Sequence, residues 1–394
     1  MQRRKFMQYS ALGSASFFAS LNFSPDSQTN LPALASDRPI YDWMFLYWMP
    51  YDNNLWEFGK PILKMLQNGV QSDNIAVAVQ GKLSGELQLS RHLIFKNRLD
   101  TQKLAATDSA SETVFAEYLQ WAKSQFNVKK WAIVILGHGG KLDQISPDEH
   151  PVPGTSSDTK WMNIYQLSQV TEKFNRAVGG KVELFFFQNC NKGTLEAYYT
   201  LRHAAKYTLA SQLLLGAPNY YYEPLLQFLG NNPEIDGGEL AEKIIQFERQ
   251  NMYHSYTVVN NSALQKLPKK IQPLVDSVLS ANLKGIKFKD ISSYLYQGDR
   301  YADAINFWQV VVKSSGADAA KYDRFVDFLK NDTIRAFNRE GTLLGWRRKQ
   351  YYDLSGLGIF FAANQPEFDR YRYLPFFADL KLINFFDAFY RQKE

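Results

Sequence analysis

Two stretches decide how this chain is read: KKWAIVILGHGG (129–140) and VELFFFQNCNKG (182–193). Each carries apolar and β-branched residues over the length of one buried strand, then stops at a polar, glycine-flanked tip. The first tip presents His138 between Gly137 and Gly139; the second presents Cys190, the only cysteine in 394 residues. An open parallel sheet lines up the carboxyl ends of its strands along one edge, where ligands bind. If the two strands are neighbours, an imidazole and a thiol share that rim.

A free thiol, with a pKa of about 8.5, is only slightly ionised at neutral pH; a nearby imidazolium lowers that value, and the thiolate is the nucleophile. Glycines beside His138 leave backbone N–H groups uncovered. Together with the N–H of Cys190 they can hold the oxyanion of an acyl-transfer intermediate, a contribution of about 3–4 kcal/mol per donor. The plainer alternative stays open: His138 ends a strand and Cys190 packs as a small apolar residue.

The rest of the composition bounds the answer. With 45% apolar and 15% aromatic residues the chain can bury one large core or two moderate ones. No apolar run reaches the roughly 18 residues of a membrane-spanning helix. The N-terminus has Arg3, Arg4 and Lys5, a modest apolar run, and the small-x-small pattern Ala33-Leu34-Ala35, which is the layout of a signal peptide over 1–35. The paired arginines followed by Lys5-Phe6-Met7 are similar to a twin-arginine export signal. Export to the periplasm or the outside is therefore expected. Without that segment 42 basic face 38 acidic residues, a net +4. This mild balance, with no long run of Lys and Arg, implies neither nucleic acid nor a membrane partner beyond export. A single cysteine excludes an internal disulfide. The five histidines lack metal-ligand spacing, so no metal and no cofactor are expected. Nothing in the sequence sets the oligomeric state.

In chain order, the pattern predicts a strand over 43–49 ended by Pro50, a turn at Tyr51-Asp52-Asn53-Asn54, and a helix with Leu55, Phe58, Ile62 and Leu66 on one face. A buried strand follows over 74–80, then a hairpin around Ser84-Gly85 at the sheet edge. Ser109-Ala110-Ser111-Glu112 reads as a capping box opening a helix over 113–126. Residues 141–160 read as a long polar loop beside the histidine, functional or cleavable, with His150 solvated. A helix is expected over 161–174, ended by Gly179-Gly180. A further helix over 194–206 would place Cys190 at its N-terminus, where the dipole favours a thiolate. A strand from Tyr207 runs into the aromatic loop ending at Tyr222, which either walls a groove or joins the core. Beyond it come a helix from Glu239, a strand over 256–260, helices over 264–283, 300–312 and 319–337, a late strand over 357–361 and an aromatic helix over 376–390. Strand, helix, strand in this rhythm means an α/β fold around a mostly parallel sheet.

These blocks resemble the clostripain family of cysteine peptidases, in the caspase-like clan. WMFLYWMPYDNNLW (43–56) resembles its opening strand and turn, WAIVILGHGG (131–140) its His-Gly block, FFFQNCNKGTLEAYY (185–199) its nucleophile block, LASQLLLGAPNYYYEPL (209–225) its pocket segment, and SGLGIFF (355–361) a late strand. The resemblance implies a caspase-like mostly parallel sheet flanked by helices. A catalytic domain would span 36–265, and a helical C-terminal extension, 266–394, would pack on the core. It implies His138 as acid/base, Cys190 as nucleophile, and the N–H groups of Gly139 and Cys190 as oxyanion hole, with no third orienting residue. Gln188, Ser211, Gln212 and Tyr220 fall at substrate-binding positions. Where family members cutting after arginine or lysine carry an aspartate, this chain has Gln188, and Gln212 stands where a glutamate is common. A neutral amide cannot pair a desolvated guanidinium as a carboxylate does, so basic specificity is not implied here.

Three functions follow. The first is an exported cysteine endopeptidase acting on peptides or proteins through an acyl-enzyme. The second is a catalytically weak scaffold that binds peptides or a protein. The third is another thiol acyl-transfer enzyme, an amidase or transpeptidase, on the same fold.

Overall fold

The computed structural model describes residues 38–83, 86–149, 159–252, 254–338 and 354–391. The expected export segment, Ser84-Gly85 and His150 lie outside the described residues.

The apolar runs become the middle of a nine-stranded sheet. In chain order its strands are β1 (Ile40–Pro50), β2 (Ile75–Lys82), β3 (Ser90–Phe95), β4 (Arg98–Lys103), β5 (Asn127–Leu136), β8 (Val182–Gln188), β9 (Tyr207–Ser211), β10 (Tyr256–Asn260) and β13 (Ile334–Phe337). Across the sheet the order is β13-β10-β9-β8-β5-β1-β2-β3-β4. The five from β9 to β2 are parallel, and antiparallel strands finish both edges. Alternate residues of β1 show why its run is unbroken: Met44, Leu46 and Trp48 enter the core on one face, Trp43, Phe45, Tyr47 and Met49 the core on the other. A strand covered on both sides has no polar face to present.

One face is covered by α1 (Trp56–Gly69), α5 (Tyr222–Asn231) and α6 (Gly237–Phe247). The other is covered by α2 (Glu112–Gln125), α3 (Ile164–Ala177), α4 (Leu195–Thr200), α7 (Asn261–Leu264), α8 (Leu267–Leu279), α9 (Ala304–Ser315) and α10 (Ala319–Asp327), with the aromatic C-terminus. That C-terminus folds as α11 (Gln365–Asp369), α12 (Pro375–Asp379) and α13 (Leu382–Arg391). Two small sheets complete the molecule: β6 (Gln144–Asp148) with β7 (Lys160–Asn163), and β11 (Ser293–Tyr296), β12 (Asp299–Asp303) and β14 (Gly358–Phe360). From Pro39 onward the chain forms one compact unit.

Several local expectations change. Residues 144–148 are not loop but β6, buried because Ser146 and Asp148 find buried partners: Ser146 Oγ donates to Leu136 O at 2.8 Å. Trp161 is in β7, and α3 starts at Ile164 because Asn163 caps it, accepting from Tyr165 N and Gln166 N. The cap of α2 is Ser111 rather than Ser109, which is fully buried and donates from N and Oγ to Asp148 at 2.7 and 3.1 Å. Glu112, freed from a capping box, accepts from Asn163 N. The predicted helix over 319–337 ends in β13, the strand that closes the sheet edge beside β10. The residues expected to begin a helix at Arg300 form β12, and the late strand β14 pairs with it rather than with the main sheet.

Candidate active site

β5 and β8 are adjacent and parallel, in a register that sets Leu136 opposite Gln188. The next residues of both strands therefore leave the sheet at the same level, His138 from one and Cys190 from the other, both half-buried. Gly137 turns the first chain out with φ +107°, a conformation that L side chains rarely adopt. Gly139 is needed for a different reason: its Cα packs on the Cys190 carbonyl, and a Cβ there would run into that oxygen. Asn189 ties the two tips together, its Nδ2 donating to Gly137 O at 2.8 Å and to His138 O at 3.4 Å.

The His-Gly turn is held from outside by its carbonyls. Ser146 N donates to His138 O at 3.0 Å, and Tyr296 Oη to Gly139 O at 2.6 Å. The Lys192 ammonium donates to Gly140 O at 3.2 Å and Lys141 O at 2.6 Å. Gly139 forms an antiparallel bridge with Ile145 in which the hydrogen bonds are made by its neighbours, Gly140 N to Gln144 O and Ser146 N to His138 O. Among the described residues the N–H groups of Gly139 and Cys190 donate to no other residue's backbone or side chain.

The imidazole and thiol have separate partners. His138 Nε2 lies 2.6 Å from Asn54 Oδ1, in the turn after β1. With that oxygen accepting, the proton sits on Nε2 and Nδ1 keeps its lone pair. Cys190 Sγ donates to Leu215 O at 3.5 Å and accepts from Leu215 N at 3.3 Å. Among the described residues no hydrogen bond joins ring and sulfur. Burial pushes the thiol above its ordinary value, while the Leu215 N–H, the Tyr296 hydroxyl and the Lys192 charge pull it back. Burial lowers the His138 pKa. Both shifts favour the neutral forms.

Among the described residues no helix N-terminus lies at the thiol. α4 begins only at Leu195 and is capped by Thr194, so Cys190 sits in a turn well ahead of it. The positive charge beside the sulfur is that of Lys192. Asn54 as partner of His138 was likewise missed, although it ends the Asn-rich turn of a strand that pairs with β5. Tyr296 comes from more than 100 residues further along the chain, and no local pattern marks it.

The other candidate residues surround the second tip. Gln188 is buried and saturated: its Nε2 donates to Asn219 Oδ1 at 2.6 Å and Tyr222 Oη at 2.5 Å, and its Oε1 accepts from Tyr221 Oη at 2.7 Å. Ser211 is buried, its Oγ accepting from Ser255 N at 3.0 Å. Gln212, also buried, donates to Asp303 Oδ2 at 3.1 Å. Tyr220 is half-exposed beneath the Arg249 guanidinium, 3.4 Å from its ring centre, while Tyr221 and Tyr222 belong to the core. The aromatic loop is thus core at two tyrosines and surface at one. Among the described residues no group of His, Cys, Asp and Glu is placed to hold a metal ion, and no helix is long and apolar enough to cross a membrane.

Such an arrangement, a base and a thiol at one rim with unused N–H donors between them, can carry out acyl transfer. The comparisons with known proteins agree with it in fold. A secreted C11 cysteine protease from Bacteroides thetaiotaomicron, solved with an irreversible peptide inhibitor, superposes with a TM-score of 0.65 at 18% identity, over 86% of this chain and 99% of that one. An inactive zymogen C11 protease from Parabacteroides distasonis gives 0.66 at 16% identity, over 86% and 98%. Comparison with curated protein sequences gave no match. At these identities the structural likeness is one of fold. The sequence model of the clostripain family, peptidase C11, matches residues 47–339, a span that holds both strand-end tips and most of the sheet. The chain belongs to the clostripain family and is a cysteine-type endopeptidase.

Proposed function

We propose that this chain is exported and cleaves peptide bonds through an acyl-enzyme, with Cys190 as nucleophile and His138 as acid and base. The observation that carries the reading is the meeting of the two tips: Gly139 packs on the Cys190 carbonyl, and both residues keep an uncommitted N–H. In the mechanism His138 takes the thiol proton as sulfur attacks the scissile carbonyl. The developing oxyanion is held by the N–H groups of Gly139 and Cys190, and His138 then protonates the leaving amine. Water hydrolyses the thioester by the same route. Because burial favours neutral thiol and neutral imidazole, proton transfer accompanies attack instead of preceding it as a standing ion pair. Substrate binding closes the gap between Nδ1 and the sulfur with Asn54 still orienting the ring through Nε2, since catalytic hydrogen bonds often tighten only in the complex.

The substrate is a peptide or protein lying along the rim between Leu215 and Tyr220, with Gln188, Ser211 and Gln212 shaping the floor of its pocket. The Gln188 amide is fully committed to Asn219, Tyr221 and Tyr222, so that position supplies no charge to the substrate. Export rests on the paired arginines and the Ala33-Leu34-Ala35 pattern. A related structure solved with an irreversible peptide inhibitor is in keeping with a peptide substrate. The separate partners of ring and sulfur favour a second reading, a peptide-binding scaffold with little turnover. One experiment decides: the protein from residue 36 onward against a peptide library varied before the scissile bond, with Cys190→Ala beside it. Cleavage lost in Cys190→Ala supports the peptidase. Equal residual cleavage in both, or binding without cleavage, overturns it.

A further inference from the structure

Lys192 is 1% exposed, two residues after Cys190. Among the described residues no carboxylate forms an ion pair with it; its ammonium donates only to the carbonyls of Gly140 and Lys141. Its Cε lies 3.2 Å from where a Cβ on Gly139 would be, so the stem lies against the His-Gly turn. The charged groups that face it are Asp143, Asp299 and Cys190. The two carboxylates bond elsewhere: Asp143 accepts from Tyr373 Oη at 2.6 Å, and Asp299 Oδ2 from Leu142 N at 2.8 Å and Tyr371 Oη at 2.7 Å, while Asp299 Oδ1 lies 3.9 Å from Arg370 and forms no ion pair with Lys192. A buried ammonium without an ion pair is costly, and an apolar residue of the same length would avoid the cost. The position therefore serves something besides packing.

Consecutive carbonyls of the turn, from His138 to Lys141, are all tied from outside, the last two by Lys192. The Gly139 N–H shares its peptide unit with the His138 carbonyl, which Ser146 N and Asn189 Nδ2 hold, and Lys192 fixes the two units that close the turn after it, so the turn that carries this N–H stays against the Cys190 loop. We propose that Lys192 is a positioning residue for acyl transfer: it fixes the His-Gly turn against the nucleophile loop and places a positive charge beside the sulfur. This rests on the peptidase reading above. Burial lowers the Lys192 pKa to about 7, and an ionised Cys190 raises it again, so the ammonium is held next to a thiolate and the two groups titrate as a pair.

The test uses Lys192→Met, which removes charge and donor, and Lys192→Gln, which keeps a neutral donor. Two quantities are read: kcat and KM on a cleaved peptide, and the rate of Cys190 alkylation by iodoacetamide against pH. In Lys192→Met kcat should fall by roughly 100-fold with KM little changed, the size of losing one oxyanion donor. The alkylation midpoint should rise by about one pH unit as the thiolate loses its cation. Lys192→Gln should recover part of kcat but leave the midpoint raised. A folded Lys192→Met with kcat within about threefold of the parent and an unmoved midpoint overturns the proposal. So does failure of both variants to fold, which would make Lys192 a structural residue. If the parent cleaves no peptide, the peptidase reading fails by itself; the midpoint of the folded variants, which needs no substrate, still decides whether Lys192 acts on the thiol.

Discussion

Two lysines are buried at the same edge of the sheet, and their surroundings are opposite. Lys82, at the end of β2, lies 3.2 Å from both Asp52 and Asp148. Lys192, beside the nucleophile, has only main-chain carbonyls. The first site holds more negative than positive charge, and burial with the neighbouring Asp52 raises the Asp148 pKa. The second holds a cation with no counter-charge at contact. Each anchors one side of His138. The Lys82 cluster ties the turn after β1, which carries Asn54, to β6 and Ser109. Lys192 ties the turn that carries Gly139. A buried ion pair sets a fixed arrangement, whereas a buried unpaired charge remains available to a neighbour whose charge changes during reaction, here a thiol.

The contrast can be broken at four points. Lys82→Met should cost about 3–5 kcal/mol of stability, because two buried carboxylates lose their cation; urea unfolding measures it, and a loss below that of Lys192→Met would erase the distinction. Gly139→Ala should lower kcat/KM by roughly 100-fold, since the new Cβ pushes the turn off the Cys190 carbonyl and displaces an oxyanion donor. Full activity there would separate the turn from the chemistry. Asn54→Ala should cost about tenfold in kcat with the fold intact, as the imidazole loses its orienting partner; steady-state kinetics beside a melting curve would show it. The smallest effect is in pH. With the folded Lys192 pKa at about 7 and 10.5 as its ordinary value, the native protein binds fewer protons than the unfolded chain between them. Stability conferred at this position therefore rises with pH across that window, and the cost of the buried charge is fully present below it. The melting temperature of the parent relative to Lys192→Met should climb from pH 7 to 9; a flat difference would show that the ammonium is not desolvated.

Much of this was legible in the residues. The unbroken apolar runs at 131–136 and 184–187 gave buried parallel strands because a strand covered on both faces needs no polar side. Their abrupt polar ends named His138 and Cys190. Local reading failed where burial overruled polarity. Ser146 and Asp148 look like loop residues, yet β6 is buried because each finds a partner distant in sequence. Ser109 had the spacing of a cap but was taken by Asp148, and Ser111 capped the helix instead. Helical periodicity after Cys190 suggested a dipole at the thiol, but the turn through Asn191, with φ +56°, delays α4.

The strands, the two reactive side chains, the glycines beside them and the family are all written in contiguous residues, through period, chain breaks and local conformation. What stands around the site came from folding: Asn54 on the imidazole, Tyr296 on Gly139, Leu215 on the sulfur, Lys192 beneath the turn. Those contacts join residues brought together by strand order and burial, and no spacing along a chain encodes which side chain a fold will place against another.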